Sequence, residues 1–132
     1  MKLSLKKLLA KILEALVPLC TNSSGTATLT LTTGTINTKL TYVRRGYVVQ
    51  TSGYVDTASS VASGSNIAAG KITNLPKPVG SVRCVSYYGD NACVSYLSAG
   101  GSVFTRNCGD DALAKGSDAA LCWVYITDGT ML

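Results

Sequence analysis

Side chains that could carry out chemistry are few in this chain, and one type is missing from the sequence. There is no histidine, and Asp and Glu together number seven. The lack of histidine excludes Ser-His-Asp and Cys-His nucleophile systems and every histidine-based metal site. No glycine motif for binding phosphates or dinucleotides occurs either. We therefore expect that the protein is not an enzyme and has no cofactor and no metal ion.

The aspartates are typical of turns rather than of a reactive site. Asp110-Asp111 could join a Ca²⁺ site, but such a site needs several oxygen ligands in one loop, and no EF-hand spacing occurs. A two-carboxylate glycosidase stays formally open, although the sequence marks out no pair. We predict structural turns at five aspartates, since their side chains bond the local backbone there: Asp90, Asp110, Asp111, Asp118 and Asp128.

Five cysteines occur at wide spacings: Cys20, Cys84, Cys93, Cys108 and Cys122. An odd number without close pairs fits neither a disulfide framework nor a zinc site. A turn centred on Gly89-Asp90 places Cys84 opposite Ser95 and Cys93 opposite Ser86, so the two cysteines are diagonal neighbours in a hairpin. We predict reduced thiols that act as small core residues, which suits assembly in a cytoplasm.

Residues 1–20 predict an amphipathic helix from about Leu3 to Val17, which Pro18 ends. Apolar residues at spacings of four, three, four and three form the heptad of a short coiled coil: Leu5, Leu9, Ile12, Leu16 and Leu19. One seam position holds leucine twice and the other holds Leu, Ile and Leu, and leucine at the first with isoleucine at the second tends toward assemblies larger than dimers. A helix this short is only marginally stable alone. We therefore predict that it serves in oligomerisation or attachment.

The positive charge is concentrated in the same segment, where four lysines stand against Glu14: Lys2, Lys6, Lys7 and Lys11. A nucleic-acid-binding domain would instead concentrate Lys and Arg on its folded face, so we predict no nucleic-acid partner. Lys11 and Glu14 interrupt the apolar stretch that a signal peptide or a membrane span would need. A basic helix that lies on a membrane surface remains an alternative.

Residues 21–25 predict a linker, and residues 26–132 predict a β head domain. Thr26–Thr32 alternates strictly between Thr and apolar residues, as a half-buried strand does. A second strand is expected to begin with Ile36, Leu40 and Tyr42 and to stop at Arg44-Arg45-Gly46. A third is expected at Tyr47–Val55, with a bulge or a close approach at Gly53. Further strands are expected in the hairpin 81–97, at 103–106 and at Leu121–Thr127. Residues 57–70 predict a long loop with a short strand at 65–68. Leu75-Pro76-Lys77-Pro78 predicts an edge, because proline has no amide hydrogen.

Seven or eight strands at this spacing predict a mostly β protein, an antiparallel, jelly-roll-like sandwich after one helix. Binding by such a head would depend on its aromatic residues, because Tyr and Trp are enriched at interfaces. Tyr87 and Tyr88 lie at the predicted hairpin tip and are the candidates for receptor contact. Trp123 and Tyr125 lie in a strand that is apolar on both faces, so we assign them to the core or to a subunit interface.

Three stretches of the head resemble a known group of proteins: Arg45-Gly46-Tyr47-Val48-Val49, Ile72-Thr73-Asn74-Leu75-Pro76-Lys77-Pro78, and Leu121–Thr127. They are similar to an early strand, a Leu-Pro crossing and a closing strand in the C-terminal heads of trimeric phage and prophage tail fibres and receptor-binding proteins. The resemblance spans about Tyr42 to Thr127. It implies a trimeric β-sandwich on the surface of a phage particle, made in the bacterial cytoplasm.

The resemblance further implies three partners: the chain itself as a homotrimer, another virion protein at the helix, and a host-surface glycan or protein at the head. Two features depart from the family. One helix stands where a long tail-docking region is usual, and the five cysteines exceed the usual number. An alternative is therefore a head fibre or decoration protein of the capsid, attached to the shell through its helix.

Overall fold

The structure, a computed structural model, describes residues 4–132 except for the side chains of residues 18 and 19. In this part of the chain one helix, α1 (Leu5–Cys20), precedes thirteen strands. The first seven are β1 (Asn22–Thr26), β2 (Thr28–Thr33), β3 (Thr35–Ile36), β4 (Thr41–Arg45), β5 (Val48–Ser52), β6 (Tyr54–Asp56) and β7 (Asn66–Thr73). The others are β8 (Pro76–Pro78), β9 (Val82–Tyr88), β10 (Asn91–Leu97), β11 (Ser102–Asn107), β12 (Asp118–Ala120) and β13 (Val124–Met131).

The strands form a sandwich of two five-stranded antiparallel sheets. The first sheet has the order β1-β4-β5-β13-β8 and the second sheet has the order β2-β7-β11-β10-β9. A small third sheet, β12-β6-β3, adjoins them. Inward-facing side chains of both large sheets join one hydrophobic core, while the alternate positions face outward. The predicted mostly β, antiparallel sandwich after an N-terminal helix is confirmed.

Buried hydroxyl groups fasten the segment between β12 and β13 to both large sheets. Thr51 Oγ1 donates to the Leu121 carbonyl at 2.7 Å and accepts from the Trp123 amide at 2.8 Å. Ser95 Oγ donates to the Ala120 carbonyl at 2.8 Å, and the Trp123 indole donates to the Ser95 carbonyl at 3.1 Å. Buried polar groups are tolerated when they are paired in this way. The segment is therefore bonded to β5 of the first sheet and β10 of the second.

The helix extends past its predicted end at Val17. Proline lacks the amide that would bond four residues back, yet α1 stays helical through Pro18 to Cys20. Thr21 Oγ1 then donates to the Val17 carbonyl at 2.8 Å, which supplies a partner for one carbonyl of the last turn. The predicted start at Leu3 and the seam side chain of Leu19 lie outside the described residues.

The predicted linker at residues 21–25 is wrong, because β1 occupies most of it. Asn22 pairs with Arg45 and Thr26 with Thr41 along β4, so β1 forms an edge of the first sheet. Its composition predicts a loop, but an edge strand needs only backbone hydrogen bonds and buries little side-chain surface. A single residue, Thr21, separates helix from sheet, and its carbonyl accepts from the Gly46 amide at 2.7 Å.

Two other boundaries differ from the prediction. The strand expected at Tyr47–Val55 is divided at Gly53, where β5 leaves the first sheet and β6 enters the small one. A Cβ atom on Gly53 would lie 2.9 Å from Leu40 Cδ1, so the predicted close approach is confirmed. The short strand predicted at 65–68 is present but longer than expected, because β7 runs from Asn66 to Thr73. Ala and Gly are poor strand formers, and neighbours on both sides overrule that preference here.

The predicted hairpin and edge are confirmed. In β9 and β10, Cys84 stands opposite Ser95 and Cys93 opposite Ser86, and β8 with its two prolines is an edge of the first sheet. All five cysteines lie in the described residues and are free thiols, but Cys93 is the one that is fully buried. Burial raises the pKa of both the Cys84 and the Cys93 thiol. The thiol, rather than the thiolate, is favoured at these two positions.

Trp123→Ala tests the importance of the buried indole. Trp123 is 0% exposed and donates across the sandwich, so the variant leaves a cavity and loses a hydrogen bond. We expect the free energy of unfolding to fall by about 3–5 kcal/mol, measured by chemical denaturation. Val124→Ala is the control, because Val124 is the next residue in the chain and its own side chain is 63% exposed. An equal loss in both variants would contradict this account of the core.

Candidate attachment and binding surfaces

The helix presents an apolar stripe that the rest of the chain does not cover. Every described side chain of α1 is exposed, and Leu5 reaches 72%. The seam residues Leu5, Leu9, Ile12 and Leu16 follow one side of the helix, and the structure places Leu8 and Leu13 on its two flanks. The stripe is therefore wider than a narrow two-stranded seam. Lys7, Lys11 and Glu14 occupy the opposite side.

The described part of the chain contains no helix with the length and apolar character that crossing a membrane requires. The helix α1 has 16 residues, and its apolar stripe would be removed from water if it packed against another surface. Thr21 is the single residue between this helix and β1, so the stripe begins directly beside the first sheet.

The two tyrosines predicted for receptor contact are exposed at the tip of the β9–β10 hairpin. Tyr87 is 72% exposed and Tyr88 is 46% exposed. Tyr87 shares the outer face of the second sheet with Val85, as the predicted alternation requires. Both side chains are accessible, and their role in binding remains a prediction.

Trp123 and Tyr125 belong to the core of the single chain. Both are buried, and the Tyr125 hydroxyl donates to the Pro76 carbonyl at 2.6 Å. Burial, with a smaller contribution from Tyr42, raises the pKa of Tyr125 far above its usual value. Of the two readings left open by the sequence, the core is the one that the structure shows, and the other face of β13 carries the exposed residues.

That exposed face is the outer side of the first sheet, and it is rich in valine. Val43, Val48, Val124 and Ile126 are exposed on β4, β5 and β13. Gln50 lies opposite both Val43 and Val124, and Arg45 lies opposite Val48. We call these four apolar residues the valine face. It lies on the same sheet as β1, which follows directly from the helix.

The outer side of the second sheet carries a row of stacked side chains that sequence reasoning missed. The rings of Tyr96 and Phe104 are stacked with their centroids 4.5 Å apart and their planes 20° apart. The Arg83 guanidinium lies 4.9 Å from the Tyr96 centroid on the other side of the row. The order follows the strand pairing, because Tyr96 lies opposite Arg83 on β9 and Phe104 on β11. Cation–π and stacking contacts of this kind restrain exposed side chains.

A recess of about 520 Å³ adjoins the end of this row at Phe104. Ala69 of β7 stands opposite Phe104 and is followed by Gly70, so only a methyl group projects from the strand at this point. On the side of the recess away from Phe104, Thr32 Oγ1 donates to the Ala69 carbonyl at 3.1 Å, which restrains the Thr32 side chain. Lys71 and Arg106 are the cations that line it. A sequence signal existed, since Phe104 and Arg106 are two residues apart in a predicted strand, but the position of β7 was not predictable.

The strands of the second sheet carry one sign of charge. The five strands β2, β7, β9, β10 and β11, all of them described, contain Lys71, Arg83 and Arg106 but no Asp or Glu. Aromatic, cationic and hydroxyl groups therefore meet on one surface. Such a surface can bind anionic ligands.

A pair of carboxylates exists on the small sheet, although the sequence predicted a turn for one of them. Asp118 is in β12 and stands directly opposite Asp56 in β6. The Asn37 side-chain amide donates to both, at 2.9 Å to Asp56 Oδ1 and 3.0 Å to Asp118 Oδ1. Desolvation and the hydrogen bond with Asp118 raise the pKa of Asp56, against a smaller lowering by Asn37. The pair is bridged by an amide and is structural.

Asp128 lies within β13, but the pairing of this strand is irregular there, and the Asp128 carboxylate accepts from the Thr130 amide at 2.9 Å, so its predicted bonding to the local backbone is confirmed. Asp90, Asp110 and Asp111 lie outside the strands. Among the described residues, no group of three or more Cys, Asp or Glu side chains is arranged to hold a metal ion.

Comparison with protein-family models, with curated proteins and with solved structures found no match to this chain.

Asp56→Asn tests the carboxylate pair. The raised pKa of Asp56 means that its charged form is disfavoured by folding, so the stability it contributes is present in acid and is lost as pH rises through the folded pKa. The variant removes a like charge directly opposite Asp118 and keeps an acceptor for Asn37. We expect it to stabilise the protein at pH 7 by roughly 0.2–1 kcal/mol, with no gain in acid. Thermal unfolding across pH measures both.

Asp90→Asn is the matched control, because Asp90 lies in the exposed hairpin turn. We expect its unfolding temperature to change little at either pH. A loss of stability in Asp56→Asn at pH 7 would show that the carboxylate of Asp56 is needed in its charged form.

Proposed function

We propose that this protein is a non-enzymatic component of the surface of a phage particle, a homotrimer whose helices associate and attach it and whose β heads contact the host surface. One observation carries the proposal: α1 exposes a continuous apolar stripe, while the head already has a complete core of its own. Self-association is the simplest way to cover such a stripe, because copies of one helix are always present together.

The number of subunits rests on several further considerations. Leu9 and Leu16 occupy one seam position and Leu5, Ile12 and Leu19 the other, and leucine packed with isoleucine in this way tends toward more than two helices. Leu8 and Leu13 widen the stripe, so that each helix could contact two neighbours. The valine face adds exposed apolar surface on the sheet that begins with β1. The resemblance to trimeric fibre heads supports three copies.

A role in host attachment is supported by the composition of the second sheet. Its outer side has exposed aromatic rings, three cations and no carboxylate within its strands, and it is not needed to complete the core. A receptor-binding head requires a surface of this kind that stays free when the stalk is assembled.

Leu9→Lys combined with Leu16→Lys tests the helix. Both side chains are on the stripe, and burying two lysines in a bundle is costly. By light scattering behind size exclusion, we expect the unaltered chain at three times its mass of 13.7 kDa and the variant at the mass of one chain. Ala10→Lys with Glu14→Gln is the control, because it adds the same charge on the opposite side of the helix.

Each result has a defined meaning. A monomeric unaltered chain at micromolar concentration would overturn the trimer. A trimeric Leu9→Lys, Leu16→Lys variant would show that the heads assemble without the helix, and a charge at Val124 on the valine face should then dissociate it. In that case the helix would be free to dock on another virion protein.

Attachment to a capsid is the alternative use of the same helix, as a head fibre or decoration protein. Purified trimers would then bind capsids and show no saturable adsorption to bacterial cells. Saturable adsorption to cells without binding to capsids favours the receptor-binding role.

A membrane-surface protein is the second alternative, and the width of the apolar stripe with Lys6 at its border favours it. Sedimentation with vesicles of anionic phospholipid tests this role. Binding that disappears when Lys6, Lys7 and Lys11 become Gln would support it. A chain that stays in the supernatant with such vesicles present would exclude it.

A further inference from the structure

The row of stacked side chains on the second sheet ends at Phe104, and among the described residues no side chain covers the outer face of that ring. Arg83, Tyr96 and Phe104 stand on adjacent strands, and each covers a face of its neighbour. The next strand across is β7, where Ala69 stands opposite Phe104. A methyl group cannot continue the stack. The second face of the Phe104 ring therefore borders the recess and is left for a ligand.

The strand that carries Ala69 lies very close to its neighbour β2. Gly70 stands opposite the buried Val103, at an inward-facing position, and a Cβ atom there would clash with the Thr30 carbonyl oxygen of β2. The close approach of β2 and β7 at this point fixes the backbone beside the recess. A volume of about 520 Å³ is in the range of small-ligand sites.

The polar groups around the open ring face define the ligand. Lys71 Nζ donates to Ser102 Oγ at 2.9 Å, which restrains the ammonium group, and Arg106 also lines the recess. Two cations without a carboxylate in these strands favour a negatively charged group. The face of an aromatic ring is electron-rich and attracts the slightly positive C–H groups of a sugar ring. The two requirements are met together by an acidic sugar.

We propose that this recess is a binding site for an acidic saccharide, a sugar ring that stacks on Phe104 while its carboxylate or phosphate pairs with Lys71 and Arg106. This site deepens the proposed function, since it rests on the head being the part that contacts a host-surface glycan. It differs from the hairpin-tip tyrosines in that Phe104 is stacked on Tyr96 and Lys71 is bonded to Ser102 before a ligand binds. Order of this kind reduces the entropy lost when a ligand binds.

Single-stranded nucleic acid is the competing ligand, because it also combines rings with negative charge. Proteins that bind it offer successive open rings along a continuous cationic track. Here Tyr96 is covered on both sides by Arg83 and Phe104, so one ring face is open beside the recess. This arrangement therefore offers a stacking surface for a single ring of a ligand.

The test is a calorimetric titration of the full chain with trigalacturonic acid, 3′-sialyllactose and neutral lactose. We expect saturable binding of at least one acidic sugar, weakened by added salt, and no binding of lactose. A single-stranded oligothymidylate is titrated in parallel. If it binds and the acidic sugars do not, the ligand class proposed here is wrong.

Three variants locate the site. Phe104→Leu keeps an apolar side chain but removes the ring, and should weaken binding roughly three- to tenfold. Ala69→Val narrows the recess with a residue that suits a strand, and should abolish binding. Lys71→Gln with Arg106→Gln should weaken binding and reduce its dependence on salt.

Each variant has a matched control outside the recess. Tyr54→Leu removes an exposed ring on the small sheet, Ala92→Val adds the same bulk elsewhere on the second sheet, and Arg45→Gln removes a cation from the first sheet. All three controls should bind as the unaltered chain does. Binding of unchanged strength in both Phe104→Leu and Ala69→Val would place the sugar elsewhere and overturn the proposal, as would a lack of binding by the unaltered chain.

Failure of this site and failure of the proposed function are distinguishable. A trimer that binds no acidic sugar keeps the assembly and loses the ligand. A monomer that binds acidic sugars at this recess keeps the site and overturns the trimeric fibre.

Discussion

Three buried hydroxyl groups, those of Thr51, Ser95 and Thr105, determine how the two sheets meet and what the outer surface can display. Ser95 Oγ is 3.0 Å from Thr105 Oγ1 on the inner side of the pair β10–β11. One residue further along the same register, Tyr96 and Phe104 stack on the outer side. No buried side-chain nitrogen or oxygen among the described residues lacks a partner. The inner bonds thus fix the strand register that the outer row requires.

The surfaces of the protein are divided by chemistry. The helix carries an apolar stripe, the first sheet carries the valine face, and the second sheet carries aromatic rings and cations within strands free of Asp and Glu. The carboxylates of the head lie in loops, in the small sheet or in β13. In the proposed assembly, the surfaces assigned to copies of the same chain are therefore separate from the one assigned to an anionic ligand.

Features that depend on local sequence could be predicted, and features that depend on distant pairing could not. The turn at Gly89-Asp90 sets the hairpin register without help from other strands, and strict alternation gives the faces of β2. In contrast, β1 is a strand because β4 is beside it, and Ala68 to Gly70 are extended because β2 and β11 flank them. The same limit applies to the site. Tyr96 and Phe104 could be assigned to strands from the sequence, but their stacking and the gap at Ala69 require the order of four strands.

The single-residue connection between helix and head has a mechanical consequence. Thr21 is bonded on both sides, by its hydroxyl to Val17 and by its carbonyl to Gly46, so little free chain is available to stretch. A pulling force between an anchored helix and a bound head would enter the sheet at Asn22, the first residue of β1. It would load the hydrogen bonds between β1 and β4, which span five register pairs, rather than extend a slack tether. The element that bears the tension is then β1, the strand whose composition predicts a linker.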